Sequence, residues 1–274
     1  MTSLPGLLGR IVERTLADVN DRRRKVSRRE LEERGARKAP GRRELEPALR
    51  RRTPEVPVRF ICEIKKASPS KGILAPELDP GALAREYVAH GAAAISVVTE
   101  PHFFAGEAAF LETVRAVSGS LPVLRKDFHV HELQILEAAA GDADALLLLA
   151  AALAPEQLKD YLDIAAAFRL SHLVEVNDRK EAETALRAGA RVIGINNRDL
   201  ATFEVDVART GAVLPVLREA GVVSVAESGI RDRDTVLALE RLGVDALLVG
   251  EALVTAPDPG ARLAELRGVD PEAS

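Results

Sequence analysis

From residue 57 onward the chain alternates short apolar runs with longer amphipathic stretches. The apolar runs fall at 58–65, 93–99, 122–126, 144–149, 172–176, 191–195, 222–226 and 245–249. They are brief and rich in β-branched or aliphatic residues, which predicts eight buried strands. Helical spacing of apolar positions between them predicts helices, for example over 80–90, 131–140, 155–168, 178–188, 231–242 and 258–267. Eight strand–helix units predict an α/β protein with a closed parallel (β/α)8 TIM barrel. A glycine lies between helix and strand at Gly91, Gly141, Gly189, Gly221 and Gly243, and the first three recur at intervals of 50 and 48 residues. Glycine past a helix end takes the left-handed conformation that stops the helix without strain. An open doubly wound sheet would share this local signal; the count of eight favours closure.

Residues 1–56 stand outside this cadence and are expected to form an N-terminal helical extension, with 57–274 as the barrel domain. Residues 6–34 read as one helix with Leu7, Leu8, Ile11, Val12 and Leu16 partly periodic, broken from Gly35 to Gly41. Glu44–Arg52 reads as a second, short helix. Such an extension either caps the bottom of the barrel or folds over its mouth.

Composition adds three constraints. Trp is absent and aromatic content is 3%, so the core must come from Ala, Val, Leu and Ile. Cys62 is the single cysteine, which excludes an internal disulfide; within an apolar strand it reads as a small buried hydrophobe. With no secretory pattern and no apolar run long enough for a membrane span, the expectation is a cytoplasmic protein without membrane contact. The net charge of −4 conceals +7 on residues 1–56 and −11 on the remainder. The runs Arg22–Lys25 and Arg50–Arg52 are interleaved with acidic residues and lack an aromatic platform, so they are read as a solvated helical surface and not as a nucleic-acid site.

The ends of the predicted strands carry the chemistry. Strand one ends in Glu63 and Lys65, strand three in Lys126, strand five in Glu175, strand six in Asn196 and Arg198, and strand seven in Glu227. A barrel gathers these ends on one face. Burying so many ionisable groups is unfavourable unless they pair or are used, so their convergence points to a polar substrate. Ser228-Gly229 after strand seven and Gly250-Glu251 after strand eight fall where barrels bind phosphate through backbone N–H groups and helix N-termini. Phe104 and Phe128 are candidates for an apolar wall. His129-Val130-His131 is a His-x-His pair without an evident third ligand, so no metal site is assigned.

The runs Glu63-Ile-Lys-Lys-Ala-Ser-Pro-Ser-Lys71, Ser96-Val-Val-Thr-Glu100 with Phe103-Phe104, Leu124-Arg-Lys-Asp-Phe128, Val174-Glu-Val-Asn177, Gly194-Ile-Asn-Asn-Arg-Asp-Leu200 and Ala226-Glu-Ser-Gly-Ile230 occur in this order. Together they resemble indole-3-glycerol phosphate synthase, of tryptophan biosynthesis, over nearly all of 58–267. The resemblance implies ring closure of 1-(2-carboxyphenylamino)-1-deoxyribulose 5-phosphate with loss of CO2 and water, without cofactor or metal. It implies Lys126 as the general acid, with Glu63, Lys65 and Glu175 orienting substrate and moving protons. Whether Lys65 or Glu175 protonates the departing hydroxyl stays open. It also implies Asn196, Arg198 and Ser68 as substrate contacts, Glu227 beside them, and Ser228 opening the phosphate site. The partner is then a small phosphorylated substrate, and the protein a monomer or weak homodimer able to associate with other tryptophan-pathway enzymes. The sequence departs from many relatives in having Arg43-Glu44-Leu45 where they carry Arg-Asp-Phe. An acid of this kind is expected to need its pKa lowered towards neutrality by burial and by cations such as Lys65, while the glutamates pull the other way. The rival enzymatic reading is a Schiff-base aldolase using Lys126, and the non-enzymatic one an inactive scaffold barrel.

Overall fold

The computed structural model describes residues 6–51, 53, 55–198 and 205–270. Eight parallel strands run Arg59–Ile64 (β1), Ala94–Val98 (β2), Val123–Lys126 (β3), Ala145–Leu149 (β4), Ser171–Val176 (β5), Val192–Asn196 (β6), Val223–Glu227 (β7) and Ala246–Val249 (β8). Each pairs with the next, and β8 closes on β1 with Arg59 opposite Ala246 and Cys62 opposite Val249. The strands match their predicted bounds to within a residue at either end. Helices Ala109–Val117 and Ala208–Glu219 fill the two gaps for which no helix was specified. A two-residue antiparallel ribbon, Ala67–Ser68 with Gly72–Ile73, follows β1 and was not foreseen.

Side chains alternate across each strand, and the alternation builds two apolar shells. Ile61, Leu124, Leu147, Leu173, Val192, Val223 and Ala246 pack inside the barrel. Phe60, Cys62, Ile95, Val97, Val174 and Ile193 pack outward against the helices. With both faces covered, strands such as β4 read as unbroken apolar runs. Cys62 is fully buried, and burial pushes its thiol pKa up, as a structural cysteine requires.

The helix stops follow the predicted mechanism at Gly91, Gly189, Gly221 and Gly243, all at positive φ. Gly141 corrects it: its φ is −89°, an extended cap whose N–H is taken by Glu137 and Ala138 carbonyls. The N-terminal helix also breaks elsewhere than expected. One helix runs Gly6–Arg22 and a second Arg28–Lys38. Ser27 starts the second by accepting the Glu30 N–H on its hydroxyl, and Gly35 sits inside it. A Cβ at Gly35 would come 3.0 Å from the Phe168 ring, so this glycine serves close packing and not helix termination.

The extension covers both ends of the barrel. Leu45 and Leu49, on the short helix Leu45–Leu49, are fully buried and pack with Val192, Val223 and Ala246 at the strand starts. Backbone N–H groups of Arg43, Leu45 and Arg51 donate to Asp144, Ser171 and Asp245, which sit where β4, β5 and β8 begin. The helix Gly6–Arg22 buries Leu8 and Ile11 towards the mouth, and Val19 packs with Leu133 and Leu136. Arg22 makes two hydrogen bonds to Glu137, Arg50 bonds the Gly221 carbonyl, and Arg51 bonds the Glu240 carbonyl. Arg22, Arg50 and Arg51 therefore pin the extension to the barrel, whereas Arg23, Arg24 and Lys25 form the solvated surface expected of their run. No helix among the described residues is long and apolar enough to cross a membrane.

Candidate active site

The inward rows of apolar residues end in polar ones. Glu63, Lys126, Glu175 and Glu227 each lie two positions after an interior residue, Ile61, Leu124, Leu173 and Val225. Period-two alternation therefore aims them at the barrel axis. All but Lys126 are almost completely buried, and Lys126 is 21% exposed. Its Nζ lies 3.7 Å from Glu175, 3.8 Å from Glu63 and 3.9 Å from Glu227. Lys65 Nζ sits 2.8 Å from the other Glu63 oxygen. Asn196 Nδ2 donates to Glu175 at 2.8 Å, and Asn196 Oδ1 accepts the Arg198 N–H at 3.0 Å.

Two glycines make room for these carboxylates. A Cβ at Gly194 would lie 1.9 Å from Glu227 Oε1, and one at Gly250 would lie 2.5 Å from Glu63 Oε1. Gly250, predicted for phosphate, thus also clears the space that Glu63 occupies. Glu227 Oε1 has no hydrogen-bond partner among the described residues.

Burial alone would depress the Lys126 pKa, as expected from the sequence, but Glu63, Glu175 and Glu227 outweigh it and raise the pKa above its ordinary value. The expectation of a lowered value is corrected: three carboxylates at under 4 Å win over one amine's desolvation. The carboxylates favour the ammonium form, which disfavours the imine that the aldolase reading needs. Burial would raise Glu63, but Lys65 and Lys126 hold it below the usual carboxylate range. Glu227 is pushed up to about 8 by burial and by its neighbours Glu175 and Glu63, against the pull of Lys126.

These groups line one cavity of about 210 Å³ at the C-terminal ends of the strands. Phe104 and Phe128 form part of its apolar wall, with ring centroids 6.0 Å apart. Ser68, Arg198, Ser228, Gly229, Gly250 and Glu251 also line it, so every predicted site residue is brought together. The Ser68 hydroxyl is buried without a partner among the described residues. Ser228 (φ +66°) and Gly229 (φ +80°) are consecutive left-handed residues. A non-glycine residue held there is strained, a feature that clusters at ligand sites. The Glu251 carboxylate is taken by Lys71 at 2.5 Å, joining the loop after β1 to the chain after β8. Asp199 and Leu200 of the sixth-strand motif lie outside the described residues.

Sequence reasoning missed several contributors. Leu7, Leu8 and Ile11 cover the cavity, and their stripe was visible without a known destination. Arg231 adds a cation to the lining close after Ser228-Gly229. Glu100 accepts the N–H groups of His102, Phe103 and Phe104 and so sets the Phe104 wall. Asn197, fully buried, ties β6 to the Ser228-Gly229 turn through the Ser228 carbonyl. The His-x-His pair divides its tasks: His131 accepts the Leu133 N–H as a helix cap, and buried His129 bonds the Leu147 carbonyl.

Among solved structures, 3-hexulose-6-phosphate synthase aligns with a TM-score of 0.59 at 16% identity over 78% of this chain and 100% of that one. Thiamine phosphate pyrophosphorylase from Pyrococcus furiosus gives 0.59 at 20% over 77% and 94%. At such identities the likeness shows the barrel fold alone. Sequence comparison goes further. The family described as indole-3-glycerol phosphate synthase matches residues 8–266. Indole-3-glycerol phosphate synthase of Carboxydothermus hydrogenoformans is 50% identical over 219 residues, covering 80% of this chain and 83% of that relative. Indole-3-glycerol phosphate synthase 1 of Streptomyces coelicolor is 45% identical over 260 residues, covering 95% and 94%. The chain belongs to the indole-3-glycerol phosphate synthase family, carboxy-lyases of tryptophan biosynthesis.

Proposed function

We propose that Lys126 is the general acid for the ring closure by which this lyase converts 1-(2-carboxyphenylamino)-1-deoxyribulose 5-phosphate to indole-3-glycerol phosphate. The observation that carries this reading is an ammonium within 4 Å of three carboxylates at the base of the cavity. The ring carbon bearing the carboxylate attacks the ribulose carbonyl carbon, and the carbonyl oxygen takes the Lys126 proton. The developing alkoxide is a stronger base than any lysine, so a raised Lys126 pKa keeps the proton available at neutral pH without blocking its transfer. Loss of CO2 returns the bonding electrons to the ring. The new hydroxyl then leaves as water while the adjacent carbon gives up a proton, and electrons balance without a redox partner.

For that last step the geometry favours Lys65 as acid and Glu175 as base. Lys65 is hydrogen-bonded to Glu63 at 2.8 Å, and Glu175 accepts the Asn196 amide at 2.8 Å. Phe104 and Phe128 would hold the anthranilate ring, with Ser68, Asn196 and Arg198 on the polar chain. Glu227 would accept a substrate hydroxyl. The turns Ser228-Gly229 and Gly250-Glu251 would take the phosphate through backbone N–H groups, leaving the Glu251 side chain to Lys71. In this reading the protein works in the cytoplasm as a monomer or weak homodimer, with other tryptophan-pathway enzymes as neighbours.

The test is rapid quench with the ribulose phosphate substrate. Lys126→Met should stop CO2 release. Lys65→Met should release CO2 and accumulate the decarboxylated, still hydroxylated intermediate. Accumulation in Glu175→Gln with none in Lys65→Met would reverse the assignment of the acid.

A further inference from the structure

On β3, Leu124 and Lys126 face the barrel interior, so Arg125 faces the helices, and Asp127, just past the strand, bonds to it on that side. There Arg125 stands opposite Val97 of β2, and the pair borders a cleft shared with Glu100, Leu111, Gln134 and Glu137. Arg125 and Asp127 are nonetheless both buried, each 8% exposed. Stability does not call for this pair, since apolar residues of similar volume serve such a position at least as well.

The bonds of the pair converge on the peptide units that flank Lys126. Thr99, directly after β2, donates its N–H to the Lys126 carbonyl at 3.0 Å and its hydroxyl to Asp127 Oδ2 at 2.7 Å. Arg125 donates to the same carboxylate oxygen at 3.0 Å and to Thr99 Oγ1 at 3.3 Å. Asp127 Oδ1 accepts the Phe128 N–H at 2.9 Å. Burial would push the Asp127 carboxyl up, but Arg125 and the Thr99 hydroxyl more than offset this and keep it ionised. The residue before Lys126, the residue after it and the residue that binds its carbonyl therefore form one closed polar ring. Asp127 also reaches the wall of the catalytic cavity.

We propose that Thr99, Arg125 and Asp127 are positioning residues that fix the direction in which Lys126 leaves the end of β3 and the attitude of the Phe128 ring. A lysine stem has four rotatable bonds, so its ammonium is only as well placed as the backbone that carries it. This rests on the role assigned to Lys126 above. Misplacing a reacting group by about 1 Å costs on the order of a hundredfold in rate.

The test uses the full chain with the ribulose phosphate substrate. Thr99→Val keeps the shape and the N–H bond and removes the hydroxyl. It should lower kcat about tenfold to a hundredfold with KM changed less than about twofold. Thr99→Ser should recover most of that loss. The double variant Arg125→Met with Asp127→Leu should unfold at or above the parental temperature yet share the low kcat, which separates positioning from stability. Parental kcat in Thr99→Val, equal losses in the Val and Ser variants, or a loss that only tracks the folded fraction would each overturn the proposal. If the double variant does not fold, the Thr99 pair decides. Lys126→Met, assayed alongside, distinguishes the two claims. Near-parental turnover there overturns the Lys126 role and this proposal with it; an inactive Lys126→Met beside a fully active Thr99→Val overturns the positioning role alone.

Discussion

Replacing Lys126 with Met tests the electrostatics of the site without emptying it, because the side chains are similar in length. Three carboxylates at 3.7–3.9 Å lose their shared cation. At an effective dielectric of about 20, one such contact is worth about 4 kcal/mol. The folded variant avoids that loss by holding one more proton within the carboxylate cluster, in addition to the one Glu227 already holds up to about pH 8. Glu63 keeps Lys65. The sign follows from linkage: a carboxyl whose folded pKa lies above its unfolded value binds more protons when folded, so stability falls as pH rises between the two values. Glu227 contributes roughly one proton to the slope of the parent, beside Asp144, His129 and His172, which act alike in both proteins, and the variant adds roughly one more. The added slope is about 1.4 kcal/mol per pH unit, or about 2.7 kcal/mol between pH 5.5 and 7.5. Urea unfolding across that range measures it directly. Parallel slopes for parent and variant would refute the view that the Lys126 ammonium compensates these carboxylates. In the same preparations kcat should fall by roughly 10² to 10⁴.

Gly194→Ala should drive a methyl group into Glu227, since the Cβ would stand 1.9 Å from Oε1. The variant should lose at least about tenfold in kcat and unfold at a lower temperature; adding Glu227→Ala should restore the melting temperature but not the rate. Leu45→Ala empties a fully buried position at the barrel floor and should cost about 2–5 kcal/mol in urea unfolding. Removing residues 1–56 should for the same reason destabilise the barrel, and not only weaken substrate binding. Ser228→Gly relieves a left-handed residue and should raise stability by about 1 kcal/mol while raising KM, if the hydroxyl meets the phosphate. An unchanged KM would restrict that site to backbone donors.

The barrel was legible because its strands are buried on both faces, so each reads as a short apolar run bounded by helical spacing. The position of the chemistry was legible for a related reason. In Ile61–Glu63, Leu124–Lys126 and Leu173–Glu175 a polar residue replaces the expected apolar one at the next inward position. Local signals failed where a residue's use is set by a distant neighbour. Gly35 looks like a helix stop but meets Phe168, and Gly250 looks like a phosphate loop but also yields space to Glu63. Ser27 caps a second helix that begins inside 6–34, where the helical spacing looked continuous.

The order of strands, the identity of the charged groups at their ends and the family-specific runs were determined by the amino-acid sequence alone, since they depend on period, spacing and residue type. Only the tertiary structure decided the charge state of those groups. A pKa is a balance of burial against neighbours over a few ångströms, and Lys126, Glu63, Glu175 and Glu227 come from four strands far apart in the chain. Tertiary structure also decided that the extension closes both ends of the barrel. A stripe such as Leu7, Leu8 and Ile11 states that a face must be buried, but the surface that buries it exists only after the eight strands have closed.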